Sequence, residues 1–133
     1  PLMLTDGYFF YANNLIDNNL SISFSGSDIN FQNYSTGFRF YNSNLDSFNL
    51  YDLNVSEFNS SNDLFNLNNS SDLNNISIDL SKNLLLEKGK LFYFNYITDS
   101  NLSISFSGSD INFQDSSYGF AFADANYNSF NIY

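Results

Sequence analysis

Carboxylates are the side chains of this sequence with the most evident chemistry, because it has 14 Asp and Glu but no His and no Cys. A glycoside hydrolase needs two carboxyl groups roughly 5 to 10 Å apart. The candidate pairs are Asp28 with Asp110, Asp17 with Asp99, and Asp52 with Glu57. The first two pairs arise from an internal duplication, which explains their recurrence without catalysis. We therefore expect these carboxylates to lie at turns, and we do not expect the chain to be an enzyme.

Calcium is the ion that the polar side chains of this chain suit best, since Asp and Asn oxygens are hard ligands. Asp28 and Asp110 are the candidate metal ligands. However, no stretch has the alternating Asp, Asn and Gly spacing of a calcium loop. The absence of His and Cys also removes the usual ligands of transition metals. We therefore expect no cofactor, with calcium as the alternative.

The net charge of −10 limits the partners that the chain can have. Nucleic acids and anionic membrane surfaces both attract basic residues, and this chain has only 4 Lys and Arg. No run of about 18 apolar residues is present, so no segment is expected to cross a membrane as a helix. The sequence thus predicts neither a nucleic-acid partner nor membrane insertion.

An internal repeat organises the whole chain. Residues 19–32 recur without a change as residues 101–114, at an offset of 82. The match extends without a gap, with 30 identities over the 51 positions of 1–51 against 83–133. We therefore divide the chain into a first unit, 1–82, and a second, partial unit, 83–133, within one continuous β structure. A tandem array of this kind also predicts that the chain is part of a longer protein or ends in a partial unit.

Within each unit the apolar residues follow the period of β-strands. Leu20, Ile22 and Phe24 alternate with serines, so one side of this segment is apolar and the other carries hydroxyls. Clusters of Asn, Ser and Asp, such as 41–44 and 66–72, supply turns, because these side chains tolerate left-handed backbone. An all-β fold follows. A β-solenoid, or parallel β-helix, is favoured by the ungapped repeat, with an antiparallel β-sandwich as the runner-up.

Residues 43–62 fall into fives and resemble the pentapeptide-repeat pattern, in which a small residue, Asn or Asp, and Leu recur. The Asn- and Ser-rich segments more broadly resemble the parallel β-helix repeats of microbial cell-surface adhesins. In the pentapeptide family four fives form one square coil. The resemblance therefore implies about four coils per 82-residue unit, with the identical segments four rungs, or about 19 Å, apart. We expect those two segments to have the same backbone.

The core should contain the apolar residues of the alternating segments. We expect the following side chains to point inward: Ile22, Phe24, Ile29, Phe31, Phe38, Phe40, Ile104, Phe106, Ile111, Phe113, Phe120 and Phe122. The aromatic runs 8–11 and 91–96 should fill the core on one side and cover the sheet on the other. As an alternative, their outer rings could stack on sugars.

Acceptor sites for N-glycosylation, Asn followed by any residue and then Ser or Thr, are frequent in the chain. The candidates are Asn19, Asn33, Asn54, Asn59, Asn68, Asn69, Asn75 and Asn101. A chain rich in Asn and Ser forms several such sequences by chance, but glycosylation would fit a secreted or cell-surface protein. Together with the adhesin resemblance, these sites predict an extracellular location.

The sequence thus predicts a structural or adhesive segment of a repetitive extracellular surface or filament protein. The alternative is a carbohydrate-binding β module of a secreted protein. The expected partners are further repeats or other copies of the chain, stacked head to tail, and surface glycans as well.

Overall fold

The computed structural model describes residues 2–25, 27–32, 34–58, 62–87, 89–114 and 117–133. The strands among these residues are β1 (Leu2–Leu4), β2 (Tyr8–Asn13), β3 (Asn18–Ser23), β4 (Asp28–Phe31), β5 (Thr36–Tyr41), β6 (Leu45–Glu57), β7 (Asp63–Ser71), β8 (Leu73–Leu80), β9 (Leu84–Glu87), β10 (Lys90–Ser107), β11 (Ile111–Gln114) and β12 (Tyr118–Ile132). The described chain contains no helix, so the all-β prediction is confirmed.

The strands form a parallel β-solenoid of about four turns. Every strand pair within the described ranges is parallel, and paired residues are 26 to 28 positions apart. One row of paired residues illustrates the stacking: Phe10, Phe38, Phe65, Phe92 and Phe120 follow one another on successive rungs. The favoured fold is therefore confirmed, and the antiparallel sandwich is wrong.

Each complete coil contributes strands to three stacks. The first stack contains β2, β5, β7 and the first halves of β10 and β12. The second contains β3, the first part of β6, β8, and the second halves of β10 and β12. The third contains β1, β4 and the end of β6, with β9 and β11 as a separate pair. We number the coils 1 to 5; they comprise 8–31, 36–57, 63–87, 90–114 and 118–132.

The 82-residue unit spans three coils and not four. Phe10 and its repeat equivalent Phe92 are separated on the first stack by Phe38 and Phe65. At the usual strand spacing three rungs correspond to about 14 Å. The expected separation of four rungs, or about 19 Å, is therefore wrong. Paired residues on successive rungs of the first stack are 27 or 28 positions apart, so each coil is longer than the 20 residues of four fives.

The two identical segments differ in local structure. In the first unit β3 ends at Ser23, and Ser25 has a positive φ of 51°. In the second unit the equivalent strand continues to Ser107, and Gly108 takes a φ of 93°. The expected identity of backbone is therefore wrong at this turn. The neighbours differ, because β3 pairs on one side only whereas the second half of β10 lies between β8 and β12.

A row of left-handed residues turns each coil from the first stack to the second. We call this row the first corner; its members are Asn14, Asn42, Asn69, Tyr96 and Asp124, with φ between 48° and 62°. Asn and Asp adopt this conformation more readily than other non-glycine residues, which explains four of the five positions.

Buried serines close the same corner from the inside. The Ser70 hydroxyl donates to the Asn68 carbonyl (2.8 Å) and accepts from the Ser43 amide of the preceding coil (3.1 Å). Ser100 likewise accepts from the amide of Leu73 (3.2 Å). Each hydroxyl thereby satisfies a backbone group that the turn takes out of the strand ladder, which buried polar groups require.

The core prediction is confirmed for most of its residues. Phe24, Ile29, Phe31, Phe38, Phe40 and Ile104 are buried, and Ile22, Phe106, Ile111 and Phe120 are partly buried. Phe113 and Phe122 are exposed and do not belong to the buried core. The Phe122 ring nevertheless points inward as predicted, since it stacks on the buried ring of Phe94. Phe113 and Phe122 both lie on a last rung. Among the described residues β11 pairs only with β9 and β12 only with β10, so no further described coil covers their rings.

Candidate functional sites

The two predicted metal ligands lie in different coils and share no site. The Asp28 carboxylate accepts a hydrogen bond from the side-chain amide of Asn54 on the next coil. Asp110 is exposed before β11, and its backbone amide donates to the Asn83 side chain (3.0 Å). The described residues bring together no group of three or more carboxylates that could hold a metal ion.

Of the other candidate carboxylates, Glu57 is the last residue of β6 and accepts a long hydrogen bond from the Gln32 side-chain amide (3.4 Å). The remaining three have left-handed backbone. Asp17, Asp99 and Asp52 have φ of 51°, 49° and 55°. Short acidic side chains tolerate this left-handed conformation. The positions of these three aspartates are therefore explained by backbone geometry.

Two of the candidate glycosylation sites, Asn33 and Asn59, lie outside the described residues. Asn19 and Asn101 are on the outer side of the second stack and accept from the hydroxyls of Ser47 (2.7 Å) and Ser129 (3.0 Å) on the next coil. These repeat equivalents thus make equivalent bonds between coils.

The remaining candidate asparagines take part in contacts between coils. Asn68 accepts from the Asn95 amide (3.0 Å), and Asn75 donates weakly to the Asp46 carbonyl (3.4 Å). Asn54 is only 7 % exposed. A glycan on Asn54 would have to displace its bond to the Asp28 carboxylate.

The aromatic runs divide between the core and the outer surface of the first stack. Phe92 and Phe94 point inward and are fully buried, whereas Tyr8 and Tyr11 are exposed. The Arg39 guanidinium lies over the Tyr8 ring at 5.7 Å from its centroid. The expectation of core on one side and cover on the other is therefore confirmed.

A groove lies along the first corner on coils 2 to 4, and we call it the corner groove. Its volume is about 390 Å³, and it is lined by Asn42, Asn44, Asn69, Ser70, Ser71, Tyr96 and Thr98. The lining comes from the loop between β5 and β6, the end of β7 and the middle of β10. Amides, hydroxyls and one aromatic ring converge there, and no charged side chain is part of the lining.

The corner groove was not predicted from the sequence as a site. Two predicted candidates belong to it, the glycosylation site Asn69 and Tyr96, the last residue of the aromatic run 91–96. Its other members are spread from position 42 to position 98. The available signal was a substitution within the repeat: Tyr96 replaces Asn14 at the equivalent position. A change from a turn-forming amide to a bulky ring was visible, but its location on a corner was not.

Burial changes the proton affinity of two groups in the interior. Desolvation raises the pKa of Asp63, although the positive charge of Lys90 on the paired strand and a hydrogen bond from Asn66 oppose this. Desolvation also raises the pKa of Tyr127, whose hydroxyl is buried with no hydrogen-bond partner among the described residues.

Tyr127→Phe is expected to raise the free energy of unfolding by about 1 kcal/mol, because it removes an unsatisfied buried hydroxyl. The repeat equivalent of Tyr127 is Leu45, which is buried and carries no polar atom. Equilibrium unfolding in urea measures the change. A loss of stability would instead mean that the hydroxyl is hydrogen-bonded in solution.

The last rung presents an uncovered apolar surface, which we call the open end. It contains the exposed side chains of Phe113, Phe122, Ile132 and Tyr133. Tyr127 and Phe130 pack beside Phe122, with ring centroids 5.6 and 5.4 Å from its own. Exposed apolar patches of this kind are typical of surfaces that bind another protein segment.

Comparisons with protein-family models, with curated proteins and with solved structures give no match. Among the described residues no helix is long and apolar enough to cross a bilayer. The fold itself defines the class, a parallel β-solenoid repeat protein.

Proposed function

We propose that this chain is a structural segment of a repetitive extracellular protein, of the surface-adhesin or filament kind, in which solenoid coils stack end to end. The parallel solenoid supports the proposal, because each coil is templated by the previous one and can template the next. The open end supports it further, since it offers both apolar side chains and an unpaired strand edge on β12.

The observation that carries this proposal is a difference in burial between equivalent repeat positions. Phe40 and Leu50 in coil 2 are 0 % exposed, because coil 3 stacks on them. Their equivalents in coil 5, Phe122 and Ile132, are 47 % and 48 % exposed. Covering this apolar surface would contribute about 25 cal/mol for each Å² buried.

The repeat specifies which coil would fit the open end. Coil 5 is the equivalent of coil 2, and its last residue, Tyr133, corresponds to Tyr51. Residues 52–82 follow Tyr51; they complete coil 2 and form the β7 and β8 strands of coil 3. Coil 1 lies before coil 2 in the stack and never after it. We therefore expect the partner of the open end to be a coil-3-like surface, from further repeats of the same chain or from another copy.

The outer surface is consistent with the proposed extracellular location. It is acidic, with a net charge of −10 for the chain, and it carries the exposed candidate glycosylation sites Asn19 and Asn101. Hydroxyl and amide side chains, such as those of Ser47 and Ser129, join the coils on this side.

Extending the 133-residue chain with a second copy of residues 52–82 tests the proposal. We expect a higher Tm and lower fluorescence of a dye that binds exposed apolar surface, because the added segment would cover Phe122 and Ile132. Circular dichroism during heating and dye titration measure the two effects.

The matched control is the same chain extended by residues 83–113, a segment of the same length that contains the end of coil 3 and nearly all of coil 4. This coil follows coil 3 and not coil 2, so its side chains do not match the open end. If the two extensions raise the Tm equally, or if neither does, coil order has no role and the stacking proposal fails.

A further inference from the structure

We propose that the corner groove binds a neutral glycan, with the ring of Tyr96 as the surface on which a sugar ring stacks. The groove lies on the side of the solenoid, across coils 2 to 4, and the open end is formed by the last rung. Binding in the groove is therefore independent of end-to-end stacking.

The size of the groove suits a short stretch of a carbohydrate chain. Its volume of about 390 Å³ is within the range of roughly 300 to 1,000 Å³ typical of sites for small ligands. The groove is open to solvent along the corner, since Asn42, Asn69, Tyr96 and Thr98 are all exposed. A site that is open to solvent accepts an internal segment of a polymer as well as its end.

The chemistry of the lining selects a neutral ligand that is rich in hydroxyl groups. Side-chain amides and hydroxyls both donate and accept hydrogen bonds, as sugar hydroxyls do. Without Lys or Arg the lining offers nothing to neutralise a phosphate or a carboxylate, and without Asp or Glu it offers no carboxylate to a cation. Asp72 and Asp99 follow the lining in sequence and add negative charge nearby, which disfavours anionic polymers further.

Tyr96 supplies the apolar surface that a pyranose ring requires. Its side chain is 57 % exposed, which leaves much of the ring accessible to a ligand. A tyrosine side chain combines a large apolar ring face with a polar hydroxyl. It can therefore contact the C–H face of a sugar and form a hydrogen bond with one of the sugar hydroxyls.

The corner requires left-handed backbone at position 96, but it does not require a tyrosine there. The Tyr96 φ of 57° lies in the left-handed region, which is unfavourable for a bulky residue and common for Asn. Asn14, Asn42 and Asn69 occupy the equivalent corner position in other coils. Strain of this kind is concentrated at functional sites, and here it places an aromatic ring where the fold would favour an amide.

The polar groups around Tyr96 are held in place before any ligand binds. The Asn69 amide donates to the Asn42 side-chain oxygen, and the Ser71 hydroxyl donates to the Asn44 side-chain oxygen (3.3 Å). Prearranged groups lose little conformational entropy on binding. The groove is thus built from rigid strand ends and does not depend on a long flexible loop.

Asn69 is also a candidate glycosylation site, so a covalently attached glycan could occupy the same groove. Production in the bacterial cytoplasm, where N-glycans are not added, leaves the groove free. The unmodified 133-residue chain can then be titrated by calorimetry with cellohexaose, xylohexaose, mannohexaose and chitohexaose, and with hexagalacturonate as the anionic comparison.

We expect at least one of the neutral hexaoses to bind and hexagalacturonate not to bind. Tyr96→Asn should weaken that binding by at least about tenfold while leaving the Tm unchanged or higher, because Asn relieves the backbone strain. Tyr96→Phe should retain most of the affinity, since it keeps the stacking ring. Opposite effects on affinity and stability would not arise from a merely structural tyrosine.

The matched control is Tyr118→Asn, since Tyr118 is also 57 % exposed but lies outside the groove on the last coil. We expect it to change the affinity by less than about twofold. The proposal is overturned if none of the neutral hexaoses binds at millimolar concentration, if hexagalacturonate binds more tightly, or if Tyr96→Asn and Tyr118→Asn weaken binding equally.

Discussion

Phe92→Ala is expected to lower the free energy of unfolding by about 3 to 5 kcal/mol, the usual cost of removing a fully buried phenylalanine. The Phe92 ring lies in the middle of a column of aromatic rings and is fully buried. Its centroid is 4.6 Å from that of Phe65 on coil 3 and 5.4 Å from that of Phe120 on coil 5, and both contacts are stacked. Alanine would leave a cavity with coils on both sides, which the strand ladders prevent from closing.

Phe122→Ala is the control for this substitution, because Phe122 also stacks on the coil before it. Its ring centroid is 5.2 Å from that of Phe94, but none of the described residues forms a further coil on its other side, and Phe122 is 47 % exposed. Since the hydrophobic contribution scales with the area buried, we expect a loss of only about 1 kcal/mol. Urea unfolding of both variants measures the difference, and equal losses would contradict the assignment of coil 5 as the uncovered rung.

Much of the fold could be predicted from the sequence because two periods are visible in it. Alternation in segments such as Leu20 to Phe24 indicates strands, and the ungapped offset of 82 indicates coils that repeat in register. The number of coils per unit could not be predicted in the same way. An offset of 82 divides about equally well into four coils of 20 residues or three of 27, and the pentapeptide-like stretch 43–62 favoured the wrong choice.

The correct number of coils per unit follows from one column of stacked phenylalanines, which cannot be recognised from the sequence alone. Phe10, Phe38, Phe65 and Phe92 are 27 or 28 positions apart, but many other phenylalanines lie between them. The residues around this column differ from coil to coil, because outward positions need only be polar. Three-dimensional pairing identifies the column, whereas composition and alternation do not.

The exposure of Phe113 and Phe122 and the corner groove were not predicted for a related reason. Side-chain direction follows from alternation within a strand, but burial also requires a neighbouring coil, and the sequence pattern does not distinguish the last rung from an inner one. The groove likewise joins residues such as Asn42, Asn69 and Tyr96, which are one coil apart. Their proximity follows from the coil length, which the sequence left open.

Gly37 and Gly119 are repeat equivalents, but Gly37→Ala is expected to lower the free energy of unfolding, whereas Gly119→Ala is expected to leave it unchanged or raise it slightly. A Cβ at Gly37 would lie 2.8 Å from the Leu64 carbonyl oxygen and 3.1 Å from the Phe31 ring. The carbonyl belongs to the backbone of the next coil and cannot move freely, so we expect a loss of about 1 to 3 kcal/mol from overpacking.

At Gly119 a Cβ would meet only the exposed Phe113 ring, at 3.3 Å, and this side chain can shift. Alanine also restricts the unfolded chain, which by itself stabilises the folded state by about 0.4 to 1 kcal/mol. We therefore expect Gly119→Ala to be neutral or slightly stabilising in urea unfolding. A loss as large as that of Gly37→Ala would mean that the open end is already covered in solution, for example by a second copy.

The same pair of substitutions measures whether an added coil stacks as coil 3 does. In the chain extended by residues 52–82, the equivalent of Leu64 would approach Gly119 as Leu64 itself approaches Gly37. The cost of Gly119→Ala should then rise toward that of Gly37→Ala, to about 1 to 3 kcal/mol. In the chain extended by residues 83–113 the cost of Gly119→Ala should stay near zero. If Gly119→Ala remains neutral in the first extended chain, the added segment does not continue the solenoid, and the proposed stacking is wrong.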